Sequence, residues 1–231
     1  MSSLQIDFVS DVACPWCAIG LGGLEQALDK LVGRVDAQVT FQPFELNPAM
    51  GPEGQDVGEH LTEKYGSTPE QQAEIRERIR ERGAAVGFEF NPEGRGRIWN
   101  TFDAHRLLAW AADVAAGNGP DKQWALKKEL MAAYHGRAEN VSDPEVLVRA
   151  AQTAGLDAER ARAILAGEDY ALAVRSSERE WQQAGISAVP AVVINRRYLI
   201  SGGQPAAMYE EALQRIASEL AAPAEGPAQT G

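Results

Sequence analysis

The chain has 231 residues, of which 45% are hydrophobic and 24% charged, so it can fill a real core and lies outside the disordered range. A formal net charge of -11 argues against nucleic acid or an anionic membrane as the partner, since both select basic patches. No apolar run is long enough to span a bilayer, and the opening MSSLQIDFVSD lacks the basic and apolar regions of a secretory signal, so a cytoplasmic location is expected.

Leu4 to Val9 alternate apolar side chains and predict a strand. Cys14-Pro15-Trp16-Cys17 follows almost at once. Leu21, Leu24, Leu28 and Leu31 then recur at helical spacing to about Val32, with Gly33 suited to the end. VTFQPF, residues 39–44, predicts a second strand closed by the loop FELNP, which completes a βαβ unit. From about Gly51 to Gly185 the pattern is helical, apart from a short strand expected at GFEF, residues 87–90. Thr68-Pro69-Glu70-Gln71 carries the residues of a capping box, Asn100-Thr101 opens the helical TFDAHRLLAWAADV, and Ser142-Asp143-Pro144-Glu145 repeats the capping pattern. Tyr170, Val174 and Trp181 share a face of the last helix of this series. AVPAVVINRRYLISGG, residues 188–203, predicts a hairpin turning at Asn195-Arg196-Arg197, and Tyr209, Leu213, Ile216 and Leu220 mark a closing helix. The expected organisation is an α/β domain over 1–50 and 185–220, an all-α insertion over 51–184 whose last helix joins that domain, and a disordered tail over 221–231.

The chain holds only two cysteines, and in a reducing compartment a pair at this spacing is more often catalytic or metal-binding than a structural disulfide. Cys14 stands where strand passes to helix, near unpaired N–H groups and the positive helix end, which favour a thiolate. Pro15 fits the first helical turn, and Cys17, one turn on, can reach the same sulfur. Zinc fits poorly because there is no second cysteine pair and His60, His105 and His135 are scattered. A c-type haem needs histidine where Ala18 stands, an iron-sulfur cluster needs more thiolates, and an inert buried pair is the bland alternative. Near the other end, Gly185-Ile186-Ser187-Ala188-Val189-Pro190 runs into a strand whose entry proline suits an edge or a cis bond.

C-P-W-C after an N-terminal strand, paired with G-I-S-A-V-P-A-V-V-I, resembles thioredoxin-fold proteins. With F-V-S-D-V-A-C-P-W-C-A-I-G, F-E-L-N-P, N-T-F-D-A-H-R-L, S-D-P-E-V-L and S-G-G-Q, spread from about residue 6 to 204, the chain is similar to the DsbA-like family and, within it, to the cytosolic FrnE-type branch. The resemblance implies an α/β thioredoxin fold with a large all-α insertion and thiol–disulfide exchange on the CPWC dithiol. Cys14 would attack and Cys17 resolve, beside Pro15 and Trp16. Val189-Pro190 would be cis and shape the substrate groove, with the Val189 backbone pairing with a bound peptide or glutathione. His105 would face the site from the helical domain, either to move protons or to pack between domains, and Asn47 and Asn100 would orient a substrate or hold the domains together. No bound cofactor and no metal is implied. The partner would be a disulfide- or thiol-containing protein, glutathione or another thiol, and both monomer and homodimer fit. Trp16 stands where periplasmic members carry histidine, which implies a milder oxidant.

Around the motif, Asp11 reads as a turn or cap residue rather than a tuner of the thiol, and Arg95 and Arg97 as solvated rather than as contacts for a glutathione carboxylate. Trp99, Trp110, Trp124 and Trp181 read as core or domain-interface residues, whereas Trp16 should expose its ring near the sulfur. Two other functions compete. One is a glutathione-dependent isomerase or transferase related to 2-hydroxychromene-2-carboxylate isomerase, a group that usually has serine at the first motif position. The other is a redox-sensitive chaperone.

Overall fold

A computed structural model describes residues 3–115 and 122–221. β1 (Ser3–Ser10) leads through the Cys14 turn into α1 (Pro15–Lys30), and the chain returns to β2 (Asp36–Pro43). A two-residue ribbon of β3 (Gln55–Asp56) and β4 (Arg97–Ile98) then brackets α2 (Val57–Tyr65) and α3 (Pro69–Ala85). Next come α4 (Phe102–Ala115), α5 (Lys122–Met131), a π-helical turn (Ala132–Gly136), α6 (Pro144–Thr153), α7 (Ala158–Ala166) and α8 (Ala171–Gln183). The hairpin β5 (Ala191–Ile194) and β6 (Tyr198–Ser201) and the closing α9 (Ala206–Ala221) complete the described chain.

The four long strands form one sheet in the order β2-β1-β5-β6, with β1 parallel to β2 and the other pairs antiparallel. Alternation decides what each face holds. Leu4, Ile6 and Phe8 point from β1 into a core shared with Leu21, Leu24 and Leu31 of α1 and Tyr209, Leu213 and Ile216 of α9. Val9, Ala191 and Val193 point the other way, onto Trp181 of α8. Both faces of β5 are therefore covered, which is why Ala191–Ile194 is apolar throughout. The inserted helices build a separate core around Leu107, Ala111, Leu130, Tyr134 and Leu147. This is the expected α/β thioredoxin fold with a helical insertion.

The capping box at α3 forms as its residues predict: Gln71 N–H donates to Thr68 Oγ1 (3.3 Å), and Thr68 N–H to Gln71 Oε1 (3.0 Å). At α6 the cap is Asp143, whose Oδ1 accepts from Glu145 N–H, because Pro144 takes the first helical position. The hairpin turns at Asn195 and Arg196, both at positive φ (52° and 54°), as a right-handed sheet twist requires. GFEF is not a strand. Phe88 N–H is spent on Gly83 C=O at the end of α3, Asn91 N–H goes to His135 C=O, and the Phe88 and Phe90 rings turn inward. Residue 221 ends α9, and the expected tail beyond it lies outside the described residues. Among the described residues, no helix is long and apolar enough to cross a membrane.

Candidate active site

Cys14 is the N-cap residue of α1, with extended backbone (φ -92°, ψ 115°), and Pro15 takes the first helical position, where no donor is needed. Cys17 N–H closes the turn on Cys14 C=O at 3.0 Å. No side chain caps this helix start, so its positive end is directed at the Cys14 sulfur. Both cysteines are free thiols, with Cys14 only 4% exposed and Cys17 fully buried. From the far end of the chain the Val189-Pro190 bond, which is cis, brings Val189 C=O within 3.6 Å of Cys14 Sγ, and the Cys14 thiol donates to it. Gly203, in the S-G-G-Q loop, lies so close under the motif that a Cβ there would meet Trp16 C=O at 2.6 Å. Trp16 is half-buried rather than exposed, and with Leu46, Phe88, Phe90, Met131 and Val189 it encloses the sulfurs.

The two thiols are electrostatically unequal. Cys14 is held below the usual cysteine range, chiefly because its sulfur accepts the Cys17 S–H, with the Cys17 and Trp16 amides adding; burial and the charge of Asp11 oppose this. Cys17 is pushed well above that range by burial first, then by its bond to Cys14 and that neighbour's charge; Lys127 pulls it back. The start of the helix therefore carries a nucleophile and the turn behind it a thiol that gives up its proton reluctantly.

Asp11 is 1% exposed. Its Oδ1 accepts from Ala13 N–H at 3.0 Å, the expected turn bond, but its Oδ2 also takes Leu46 N–H at 2.6 Å, tying the motif to the FELNP loop. Burial would raise this carboxyl, yet His105 together with the two amides holds it below the usual range. His105 Nε2 lies 3.5 Å from Asp11 Oδ1 and makes no hydrogen bond, so the predicted histidine addresses the carboxylate and reaches the dithiol only through it.

Asn47 is directed elsewhere, its Oδ1 accepting from Lys64 Nζ at 2.7 Å on the rim of a cavity that no motif residue lines. Asn100 accepts Phe102 N–H at the start of α4 through its Oδ1 and donates to Met50 C=O through its Nδ2. Arg97 binds the carbonyls of Glu53 and Gly54, and Arg95, rather than being solvated, donates to Ala13 C=O beside the motif.

Three groups at or near the site carry no signal in the sequence. His135, on the π-helical turn, contacts Val12 C=O through Nε2 at 2.9 Å; a carbonyl only accepts, so Nε2 carries the proton, and burial keeps the ring neutral. Lys127 of α5 is fully buried with no hydrogen bond to its amine; burial depresses it, while Cys17, Asp11 and Cys14, in that order, pull it up. Glu45 shares one Arg175 nitrogen with Glu178 across the two parts of the fold and is raised to about 7, first by burial and then by Glu178. His135 follows by four residues the methionine that packs on the dithiol, Met131, which is no recognisable pattern, and nothing in sequence separates Lys127 from its exposed neighbour Lys128.

Two clefts flank the motif. On the Pro15 side, Val57, Leu61, Ile79, Phe90 and Arg95 line a cavity of about 100 Å³. On the Ala18 side, Leu21, Val86, Trp124, Lys128 and Met131 line one of about 640 Å³.

Comparison with known proteins agrees with this geometry. A family model, the DSBA-like thioredoxin domain, matches residues 5–214. The crystal structure of the probable DsbA oxidoreductase SCO1869 from Streptomyces coelicolor is similar at 34% identity and a TM-score of 0.83, covering 97% of each chain. The Bacillus subtilis (strain 168) protein YwbO is 24% identical over 212 residues, 91% of this chain and 96% of that one. The cytosolic disulfide reductase DsbM from Pseudomonas aeruginosa, solved with GSH, shares the fold at 16% identity and a TM-score of 0.60, over 94% of this chain and 98% of its own.

Proposed function

We propose that this chain, which belongs to the DSBA-like thioredoxin domain family, is a dithiol oxidoreductase that exchanges electrons with protein or small-molecule disulfides through Cys14 and Cys17. The observation that carries the reading is the unequal thiol pair at the start of α1, with the Val189 carbonyl 3.6 Å from the nucleophilic sulfur. Written as reduction, the Cys14 thiolate attacks one sulfur of the substrate disulfide. A Cys14–substrate bond forms, the substrate S–S bond breaks, and the first substrate thiolate leaves and is protonated. Cys17 then loses its proton and attacks Cys14 Sγ, closing the intramolecular disulfide and expelling the second substrate thiolate. The protein dithiol is oxidised by two electrons as the substrate disulfide is reduced to two thiols, and the reverse sequence oxidises a substrate.

Pro15, Trp16, Val189 and Pro190 form the surface on which the substrate sulfur is presented, with the Val189 carbonyl free to pair with a substrate backbone once Cys14 is bonded. His105 acts through Asp11, and Asn47 sets the FELNP loop through Lys64. Glutathione or another cellular thiol is the redox partner, in the cytoplasm. The ordered motifs of the sequence favour the FrnE-type branch, and the intact dithiol favours this reading over a glutathione-dependent isomerase. Cys17→Ser is expected to trap a one-to-one Cys14 mixed disulfide with oxidised glutathione, and Cys14→Ser to trap none, both read by intact mass. A Cys17→Ser protein that turns over at the wild-type rate would remove the resolving role from Cys17.

A further inference from the structure

Resolution of the mixed disulfide requires Cys17 to lose a proton, and Cys17 is fully buried, so solvent has no direct access to its thiol. An internal acceptor is needed. Asp11 is poorly suited, because both its oxygens are bound to backbone amides at 3.0 and 2.6 Å and His105 of α4 lies 3.5 Å away. His135 has its protonated nitrogen committed to Val12 C=O, in a pocket that disfavours a second proton. Tyr209 of α9, on which the Cys17 charge also acts, keeps its own proton because burial raises it, and among the described residues one strong base remains. Lys127 belongs to the buried residues of α5 with Leu126, Leu130 and Met131, the helix packs on the thiols through Met131, which clusters with Cys14 and Cys17, and the Lys127 amine is wholly buried and makes no hydrogen bond. Leaving an amine in that state costs stability, and no packing need explains a polar end there. The groups whose charges act on it are Cys17 and Cys14 from the start of α1, Asp11 from the turn before it, and His135 from the π-helical turn.

We propose that the Lys127 amine accepts the Cys17 proton during resolution, so that the inserted helical domain supplies a working part of the dithiol centre. This inference rests on the dithiol reading above. The Cys17 S–H bond breaks and the proton forms an N–H bond on Lys127. The Cys17 sulfur pair makes the bond to Cys14 Sγ, and the pair of the breaking bond leaves on the substrate thiolate. The resulting ammonium faces the site as that thiolate departs and then returns its proton to it or to solvent, so nothing else is consumed. Burial tunes the amine toward this role by lowering its affinity for the proton it must later release.

The test is rapid quench of the full chain with oxidised glutathione between pH 5.5 and 9, resolving by mass the glutathionylated Cys14 species and its conversion to the intramolecular disulfide. Lys127→Gln removes both charge and base; Lys127→Arg keeps the charge and cannot accept a proton at these pH values. Both variants are expected to form the mixed disulfide within about threefold of the wild-type rate. Both should resolve it on the order of ten- to a hundredfold more slowly at pH 7, with the rate climbing about tenfold per pH unit. Wild-type resolution in Lys127→Arg would overturn the proposal, because charge alone would then suffice. Should neither variant fold, the wild type still decides: the pH at which its resolution rate levels off must match the midpoint of the Lys127 side-chain carbon shift by NMR, and unrelated midpoints overturn the assignment. A wild type that forms the adduct and never resolves it would instead refute the dithiol reading itself.

Discussion

Replacing Asp11 with Asn tests how the motif is held and tuned. The carboxylate accepts Ala13 N–H and Leu46 N–H, one on each oxygen, and it is 1% exposed. An amide keeps one acceptor and presents an NH₂ to the other backbone N–H, leaving a buried donor unpaired at a cost of about 2 kcal/mol. The carboxyl lies below its ordinary value of 3.8 in the fold, so its ionised form is favoured there and its stabilisation is full above that value. The stabilisation is lost as pH falls through the lower folded value, and the gap between wild type and Asp11→Asn should narrow on the acid side. Removing the charge also removes one of the two influences that raise Cys14, so the thiol should titrate at lower pH. Urea unfolding of the reduced proteins at pH 7 and the pH profile of Cys14 alkylation by iodoacetamide measure both effects. A stability change under about 0.5 kcal/mol, a quarter of the cost above, or a Cys14 titration that moves upward would refute this account.

Glu45 should make the reduced protein less stable as pH rises. Its folded value of about 7 exceeds its ordinary 4.5, so its contribution is full below 4.5 and is lost as pH rises through 7. Glu45→Gln should therefore gain on wild type by up to about 3 kcal/mol between pH 4.5 and 8 in denaturant titrations, and a flat difference would exclude the buried carboxyl as the cause. Gly203→Ala places a Cβ 2.6 Å from Trp16 C=O, a backbone atom that cannot swing away. It should cost about 1–3 kcal/mol in chemical denaturation and slow Cys14 exchange, and unchanged exchange would mean that this loop does not set the motif's position.

The frame of the fold was legible because strand alternation, leucine spacing and capping residues are local signals, and each acts where it is read. Leu4, Ile6 and Phe8 face the α1–α9 core as their period demands, and Thr68 and Gln71 cap α3. GFEF misled because its alternation of apolar residues is also what a loop needs when it folds two phenylalanines over a buried thiol site. The dithiol and the proline opposite it were readable from spacing and position. Asp11 was readable only as a cap, since its bond to Leu46 and its approach to His105 join segments far apart in the chain. Lys127 was invisible for the same reason: α5 has little amphipathic pattern, and what makes this lysine unusual is the set of groups folded around it.

The central claim is best tested by equilibrating the full chain with defined ratios of reduced and oxidised glutathione and reading the Cys14–Cys17 state by thiol trapping and mass. The account predicts a reversible intramolecular disulfide with a midpoint between about -180 and -270 mV, because no cation within the motif stabilises the Cys14 thiolate. Absence of that disulfide at every ratio would contradict the dithiol mechanism, and a midpoint near about -120 mV would contradict the thiolate energetics derived from the structure.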